Sequence, residues 1–211
     1  ASLSPTKQTV VYQALGKLYL RDIKSGRVKR LTRQNEHDEF YPSFSRDGRL
    51  ITYTTWNDKD LGSVKVVSAG GGQSSTVTTE PGIYVEPKFS PKGDNVVFRR
   101  LTGGYLLSPE WSMEPGIYLA NRKAKTMEKV TEDGFNAHFA ADEDRLYFTD
   151  YAPDSKYTEL ELYSIDLQGN AERALLKGDK VTEYQLSPDG KWIAYTYQNN
   201  AFVAPFLSTG L

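Results

Sequence analysis

Apolar and polar residues alternate in short segments along this chain, and one segment pattern occurs five times. In each copy an apolar run leads into Ser-Pro-Asp-Gly or a related turn, with an aliphatic residue six positions and an aromatic residue eight positions after the Ser. The Ser positions, called anchors here, are separated by 41, 45, 50 and 47 residues and comprise Ser4, Ser45, Ser90, Ala140 and Ser187. Spacing by two is typical of a strand, and a period of roughly 40–50 residues with several short strands is typical of a β-propeller blade. The pattern therefore predicts an all-β fold, a β-propeller of about five four-stranded blade repeats.

Each repeat can be divided into strands from the inside of the blade outwards. The innermost strand leads into the anchor, the second carries the aliphatic and aromatic pair, and two further strands follow. Asp47-Gly48 and Asp189-Gly190 are strong hairpin signals because Gly accepts the positive φ of such turns, whereas Asp142-Glu143 lacks the Gly. No segment has sustained 3.6-residue periodicity, so we expect essentially no helix.

The repeats predict a single propeller segment over residues 1–211, because no shift in composition marks a domain boundary. The blades fall at approximately 1–33, 41–79, 86–132, 137–177 and 184–211. The first blade has a short stub as its innermost strand, and the fifth lacks an outermost strand. We therefore expect blades that are incomplete at both ends, as an open arc or as part of a larger propeller whose flanking blades cover those edges.

Composition narrows the function classes. The 14 Tyr and 9 Phe residues suit pleated, half-buried strands, and the absence of Cys excludes disulfides and thiolate chemistry. The formal net charge of -1 gives no reason to expect a nucleic acid or an anionic membrane as partner. No run approaches 18 apolar residues, so no membrane span is predicted, and the first residues do not have the pattern of a signal peptide.

Polar residues near the anchors are candidates for lining a channel or binding a ligand. His37 lies in an acidic loop between the first two repeats, and the other candidates stand two or four positions before an anchor: Tyr41, Glu86, Lys88, His138 and Glu183. With strict alternation, both sets would lie near the mouth of the central channel. The alternative is that these are solvated or hydrogen-bonded polar residues of the kind that propeller channels contain in any case.

Two loops contain residues suited to contact with a partner. The long insertion Leu101–Pro115 combines Tyr105, Leu106 and Trp111, and a long loop with apolar residues is usually functional or docked. Trp56 lies in a charged loop between the second and third strands of its repeat and could contact a partner, although a Trp in that place more often packs over the adjacent blade.

Signals for catalysis are absent, so we predict no catalytic, cofactor-binding or metal-ligating residue in this segment. The chain has no G-x-S-x-G, and the repeated Ser residues are explained as turn residues. Gly70-Gly71-Gly72 lacks the Lys and the helix of a phosphate-binding loop, and Asp142-Glu143-Asp144 lacks the spacing of a calcium loop.

The turn and strand pattern resembles the TolB-like family of WD-repeat-like propellers over the whole chain. Four segments narrow the resemblance to large bacterial proteins in which such repeats precede a C-terminal amidohydrolase domain: NEHDEFYPSFSRDGRLITYTTW, GGGQSSTVTTEPGIYVEPKFSPKGDNVVFRR, LTGGYLLSPEWSMEPGIYL and NAFVAPF. The resemblance implies that the parent protein is periplasmic or secreted. It also implies that the parent is a hydrolase of C–N bonds that uses a divalent metal, zinc, bound elsewhere in its chain. The amidohydrolase metal site needs a His-x-His pair and further His, whereas this chain has His37 and His138 alone, so no ligand is carried over.

The resemblance therefore predicts a non-catalytic scaffold or docking segment whose partners are the further blades and the hydrolase domain of the parent chain. Two alternatives stay open at this point. One is a TolB-like protein-interaction module of the bacterial envelope, with other proteins as partners, and the other is the propeller cap of a serine peptidase. Fold alone does not separate them, because propellers carry many functions.

Overall fold

Antiparallel strands connected in sequence order form every sheet of the protein. The computed structural model describes residues 1–102, 114–152, 160–167, 171–173, 181–187, 189–197 and 200–206. Within these residues all regular structure is β, and no helix is long and apolar enough to cross a membrane. Two compact units are present, Ala1–Glu132 and Asp133–Leu211, here called the first and second unit.

In the part of the first unit that the structure describes, three four-stranded sheets are present, and each of them is one blade. Blade 1 is β1 Ser2–Leu3, β2 Thr9–Ala14, β3 Lys17–Asp22 and β4 Val28–Arg30; blade 2 is β5 Asp38–Phe44, β6 Leu50–Trp56, β7 Ser63–Ser68 and β8 Ser75–Thr76; blade 3 is β9 Ile83–Phe89, β10 Asn95–Leu101, β11 Gly116–Asn121 and β12 Thr126–Thr131.

The described residues of the second unit form a four-stranded and a three-stranded sheet. Blade 4 is β13 Phe135–Phe139, β14 Arg145–Tyr151, β15 Leu160–Asp166 and β16 Ala171–Arg173; blade 5 is β17 Val181–Leu186, β18 Trp192–Tyr197 and β19 Asn200–Pro205. The five predicted propeller blades and their strand order are confirmed. The outermost strand of blade 4 is short, at Ala171–Arg173, and the expectation of an open arc stays a prediction.

All five turns after the innermost strands share one backbone hydrogen bond and one left-handed residue. The residue three positions after each anchor donates its N–H to the carbonyl of the anchor residue, at 2.8 to 3.4 Å. That residue always has a left-handed φ, between 57° and 77°, and is Lys7, Gly48, Gly93, Glu143 or Gly190. The Gly of the sequence pattern is therefore explained by this conformation, which Glu143 adopts at φ 73° without the freedom of Gly.

The anchor serine closes the same turn from the side chain. In four blades its Oγ accepts the N–H of the residue five positions later, at 3.0 Å from Thr9, 2.9 Å from Leu50, 3.2 Å from Asn95 and 2.9 Å from Trp192. Ala140 has no hydroxyl, so blade 4 cannot form this bond. The repeated Ser is thus a structural residue of the turn, as the sequence predicted.

The repeated aliphatic and aromatic pair packs against the preceding blade. Ile51 and Tyr53 of blade 2 are fully buried in a cluster with Val11, Leu18 and Leu20 of blade 1. Val96 and Phe98 of blade 3 pack in the same way against Val64, Val66 and Val77 of blade 2. In the second unit Ile193 of blade 5 packs on Tyr147 and Leu162 of blade 4. A blade with a neighbour on each side therefore has both faces buried, and these core clusters lie between neighbouring blades.

Antiparallel connection places alternate connections at opposite edges of each sheet. In the first unit, residues 4–8, 23–27, 45–49, 69–74, 90–94 and 122–125 form one edge, here called the turn edge. Residues 15–16, 31–37, 57–62 and 77–82 lie at the opposite edge, here called the loop edge. The two edges, together with the innermost strands, are the surfaces on which a site can be built.

Candidate functional site

A β-bulge interrupts the innermost strand of each blade that contains candidate residues. Tyr41 and Glu86 occupy the bulge with left-handed φ of 50° and 58°. In blade 2 the pairing steps from Phe40 opposite Thr54 to Ser43 opposite Thr52, so two residues of β5 oppose one residue of β6. Blade 3 has the same shift, since Val85 pairs with Arg99 and Lys88 pairs with Val97.

The bulge corrects the strict alternation assumed from the sequence. Because one residue is inserted, the positions two and four before the anchor do not lie on the same face of the strand. Tyr41 is half exposed, while Ser43 is buried. The direction of the side chain four positions before the anchor is therefore set by a β-bulge. Such bulges are often found next to functional sites.

Glu86 and Lys88 lie two positions apart on the innermost strand of blade 3. Both side chains are half-buried. Burial lowers the pKa of the Lys88 ammonium, and the nearby Glu86 carboxylate opposes that shift. Burial therefore disfavours the charged form of the Lys88 amine, and the Glu86 carboxylate offsets part of that effect.

His138 and Glu183 belong to the second unit. His138 is buried, with its ring 5.0 Å from the Tyr184 ring in an edge-to-face arrangement. The Tyr184 hydroxyl donates to the carbonyl of Asn136 at 2.9 Å, so the bulge of blade 4 is tied to blade 5. Glu183 is exposed. The six candidates are thus divided, with His37, Tyr41, Glu86 and Lys88 in the first unit.

The His37 loop is held by its backbone. The Lys17 ammonium and the Gln34 side-chain amide both donate to the His37 carbonyl, at 2.5 and 3.0 Å. Burial lowers the pKa of the His37 imidazole, and the charges of Lys65 and Lys17 lower it further. Although the charges of Glu39 and Glu36 raise the pKa, the net shift is downward, so the protonated imidazole is disfavoured.

Glu39 is fully buried, although nothing in its sequence context marks it as different from the other acids of its loop. Its carboxylate accepts the N–H of Leu18 at 3.0 Å, the hydroxyl of Thr32 at 2.7 Å and the Gln34 amide at 2.5 Å. These donors come from blade 1 and from the segment that leads to blade 2. Glu39 thus joins the two blades, and the only signal in the sequence was an acid two positions after His37.

Trp56 lies over its own loop. Its indole N–H donates to Asp58 at 3.0 Å, and an added Cβ on Gly62 would lie 3.3 Å from the ring. The loop is closed further by Asn57, whose side-chain oxygen accepts the N–H groups of Lys59 and Asp60. The ring remains half-buried. The other predicted partner contacts, Tyr105, Leu106 and Trp111, lie outside the described residues.

The metal site that the resemblance implies for the parent protein does not fit the residues of this segment. The two histidines belong to different units. Across the described part of the chain, no three His, Asp or Glu side chains come together as metal ligands. No chemical step is therefore derived through a metal here.

Comparison with known proteins identifies the type of propeller. The model of the TolB beta propeller domain matches residues 17–205. The Tol-Pal system protein TolB of Francisella tularensis subsp. holarctica is 27% identical over 132 residues, which cover 61% of this chain and 28% of that protein.

Solved structures share the fold at low sequence identity. TolB from Acinetobacter baumannii has a TM-score of 0.69 at 17% identity, with 97% of this chain and 50% of that one covered. The oligogalacturonate lyase of Vibrio parahaemolyticus has a TM-score of 0.71 at 11% identity, with 97% of this chain and 61% of that one covered. Because a lyase and a TolB match about equally well, the fold by itself does not decide the function.

Proposed function

Since the chain belongs to the TolB β-propeller family, we propose that it is a non-catalytic protein-interaction module of the bacterial envelope. The observation that carries this proposal is the family match over residues 17–205. The structure supports it in one respect: the repeated residues are used for turns and for packing between blades. What remains for function is the surface at the two edges and at the bulges, and such a surface suits binding of another protein.

The location and the partners are part of the same proposal. The matching region spans 28% of the length of the curated TolB, so most of that relative lies outside the match. The relative is named as a component of the Tol-Pal system. We place the parent protein in the periplasm or outside the cell, with envelope proteins and the remainder of its own chain as partners.

A second candidate function is a scaffold or docking segment of an amidohydrolase-like protein. It is favoured by the four sequence segments quoted above, including LTGGYLLSPEWSMEPGIYL. In that case a zinc-dependent C–N hydrolase domain lies outside residues 1–211, and this segment positions or shields it. Both candidates assign no catalytic residue to the propeller itself.

The test uses the full-length protein in the bacterium that encodes it. The tagged protein is isolated after cross-linking in intact cells, and co-purifying proteins are identified by mass spectrometry against an unrelated tagged periplasmic protein. We expect at least one envelope protein to be enriched reproducibly. If no envelope protein is enriched, the proposed protein-interaction function is wrong.

Hydrolysis of amide and cyclic-amide substrates is measured in parallel on the full-length protein and on a variant with Glu86→Gln, Lys88→Met, His138→Asn and Glu183→Gln. Equal turnover in the two proteins agrees with a non-catalytic propeller. Loss of turnover in a variant that keeps its circular dichroism spectrum would show that the propeller takes part in catalysis.

A further inference from the structure

The turn edge of the first unit concentrates positive charge. Its six connections contain nine basic and two acidic residues: Lys7, Lys24, Arg27, Arg46, Arg49, Lys92, Arg122, Lys123 and Lys125 against Asp47 and Asp94. All nine basic residues except Arg122 are exposed. The loop edge differs, since its connections contain two basic and four acidic residues. Although the whole chain has a formal net charge of -1, its turn edge is strongly basic.

Contacts between neighbouring blades join these turns into one surface. An added Cβ on Gly48 of blade 2 would lie 3.3 Å from Pro5 of blade 1. Lys29 of blade 1 donates to the Gly70 carbonyl of blade 2 at 3.4 Å, and Lys125 of blade 3 donates to the Thr76 carbonyl at 3.1 Å. The basic side chains consequently project from one continuous surface across three blades.

Fixed carboxylates are interspersed among the basic residues. Asp47 accepts the Ser45 hydroxyl at 2.6 Å and the Arg49 N–H at 3.0 Å, and Asp94 is 2.8 Å from the Lys123 ammonium. The Asp22 carboxylate, at the end of β3, accepts the Ser25 hydroxyl at 2.6 Å. These hydrogen bonds lower the pKa of all three carboxyl groups, so they stay charged near neutral pH. The surface is basic overall with negative charges at set places.

This mixed pattern favours an acidic protein segment over other anions. A duplex carries one phosphate charge per about 1.7 Å of axis, so a continuous polyanion brings phosphates against the fixed carboxylates. The turn edge has no aromatic residue on which a base could stack. Ile23 is its single exposed large apolar residue, which is too little for insertion into a lipid surface. A protein can instead place acids opposite the bases and donors opposite Asp47 and Asp94.

We propose that the turn edge of the first unit is a docking surface for an acidic segment of a partner protein. This rests on the proposed interaction function and adds the surface and the partner's chemistry to it. Complementary charge speeds encounter and fixes the orientation of the partner, and the interaction weakens as salt rises.

The test measures binding of a fluorescently labelled peptide of alternating Glu and Ser residues to the full-length protein, by fluorescence anisotropy at low and at physiological salt. The turn-edge variant carries Lys24→Glu, Arg27→Glu and Arg46→Glu. The matched control carries Arg33→Glu, Lys59→Glu and Lys129→Glu, which change the net charge equally but lie away from the turn edge. Circular dichroism and the thermal midpoint establish that all three proteins are folded.

We expect the turn-edge variant to bind the peptide roughly tenfold more weakly than the wild type, with the control within about twofold. No binding to the wild type, or equal weakening by both variants, would overturn the proposal. Tighter binding of a 20-base-pair duplex or of phosphatidylglycerol vesicles, in competition with the peptide, would replace the acidic protein by that other anion. Because the cross-linking experiment does not depend on this peptide, enrichment there together with failure here refutes the assigned surface alone.

Discussion

At the turn edge of the first unit, three blades repeat one backbone, with left-handed φ at Lys7, Gly48 and Gly93. At the loop edge the connections differ in length and sequence, and Glu39 close to that edge has no counterpart with the same bonds in blade 3 among the described contacts. The repeated turns fix a few atoms of the chain and leave the neighbouring side chains free to vary. The loop edge instead depends on individual buried groups. A substitution at the loop edge should therefore have the larger effect on stability.

The largest effect is expected from Glu39→Ala. The substitution removes a buried carboxylate and leaves the Leu18 N–H and the Thr32 hydroxyl without their acceptor. We expect the free energy of unfolding to fall by about 3 kcal/mol, since each unsatisfied buried donor costs about 1–3 kcal/mol. Urea denaturation of the full-length protein measures the change. Glu36→Ala, on an exposed neighbour, is the control and should change stability by less than about 0.5 kcal/mol.

A smaller effect is expected from Gly48→Ala at the turn edge. An L residue at φ 72° is strained, and its Cβ would lie 3.3 Å from Pro5 of the preceding blade. We expect a loss of about 2 kcal/mol. Gly26→Ala is the matched control, because Gly26 has φ 69° but no atom within 4 Å of the added Cβ. Equal losses in the two variants would show that the contact between the blades is unimportant.

Ser45→Ala should lower the free energy of unfolding by about 1 kcal/mol. The Ser45 hydroxyl is buried, accepts the Leu50 N–H and lies 2.6 Å from Asp47. Ala140→Ser is the reciprocal change, since blade 4 lacks this hydroxyl. The anchor role is refuted if Ser45→Ala is neutral in thermal unfolding, or if Ala140→Ser destabilises as much as Ser45→Ala does.

Glu143→Gly is expected to stabilise the protein, in contrast to the substitutions above. Glu143 adopts φ 73° at the place where three other blades have Gly. Relief of that strain is expected to raise the free energy of unfolding by about 0.5–1 kcal/mol, measured as an increase in the urea midpoint. A decrease would mean that the Glu143 side chain contributes more to stability than its backbone strain removes.

The smallest expected effect is the change with pH in the stabilisation that Asp47 provides. The Ser45 hydrogen bond lowers the pKa of Asp47 from 3.8, so the folded state binds a proton less readily than the unfolded state. The stabilisation by the Asp47 carboxylate is full above about pH 4 and disappears as the pH falls through the folded-state pKa. The difference in stability between wild type and Asp47→Asn should therefore shrink from pH 6 to pH 3 in urea denaturation. A constant difference over that range would contradict the assignment.

The sequence pattern predicted the elements that depend on local chemistry. Asp47-Gly48 marked a turn because a left-handed φ favours Gly, and the strand order followed from the five equal repeats. The innermost strands were located correctly, yet their bulges were not foreseen. Tyr41 and Glu86 carry a left-handed φ that non-Gly residues rarely adopt, so residue type gave no signal there.

The candidate site was predictable only in part for a related reason. His37, Glu86 and Lys88 drew attention as polar residues near the anchors, whereas Glu39 looked like one more acid in an acidic loop. Its burial depends on donors that are contributed by Leu18 and Thr32, up to 21 residues away. The basic turn edge was hidden in the same way, because whole-chain charge gives no information about which edge a residue reaches.

What the sequence by itself determined is the repeated unit: the turn, the order of the strands and the positions of the aliphatic and aromatic pair, which recur at fixed spacings from each anchor. The tertiary structure decided which polar groups are buried and which charges share a surface. The physical reason is that burial and electrostatic potential are sums over neighbours from several blades. Packing brings Pro5 to Gly48 and Lys125 to Thr76, and no local pattern in the chain records those distances.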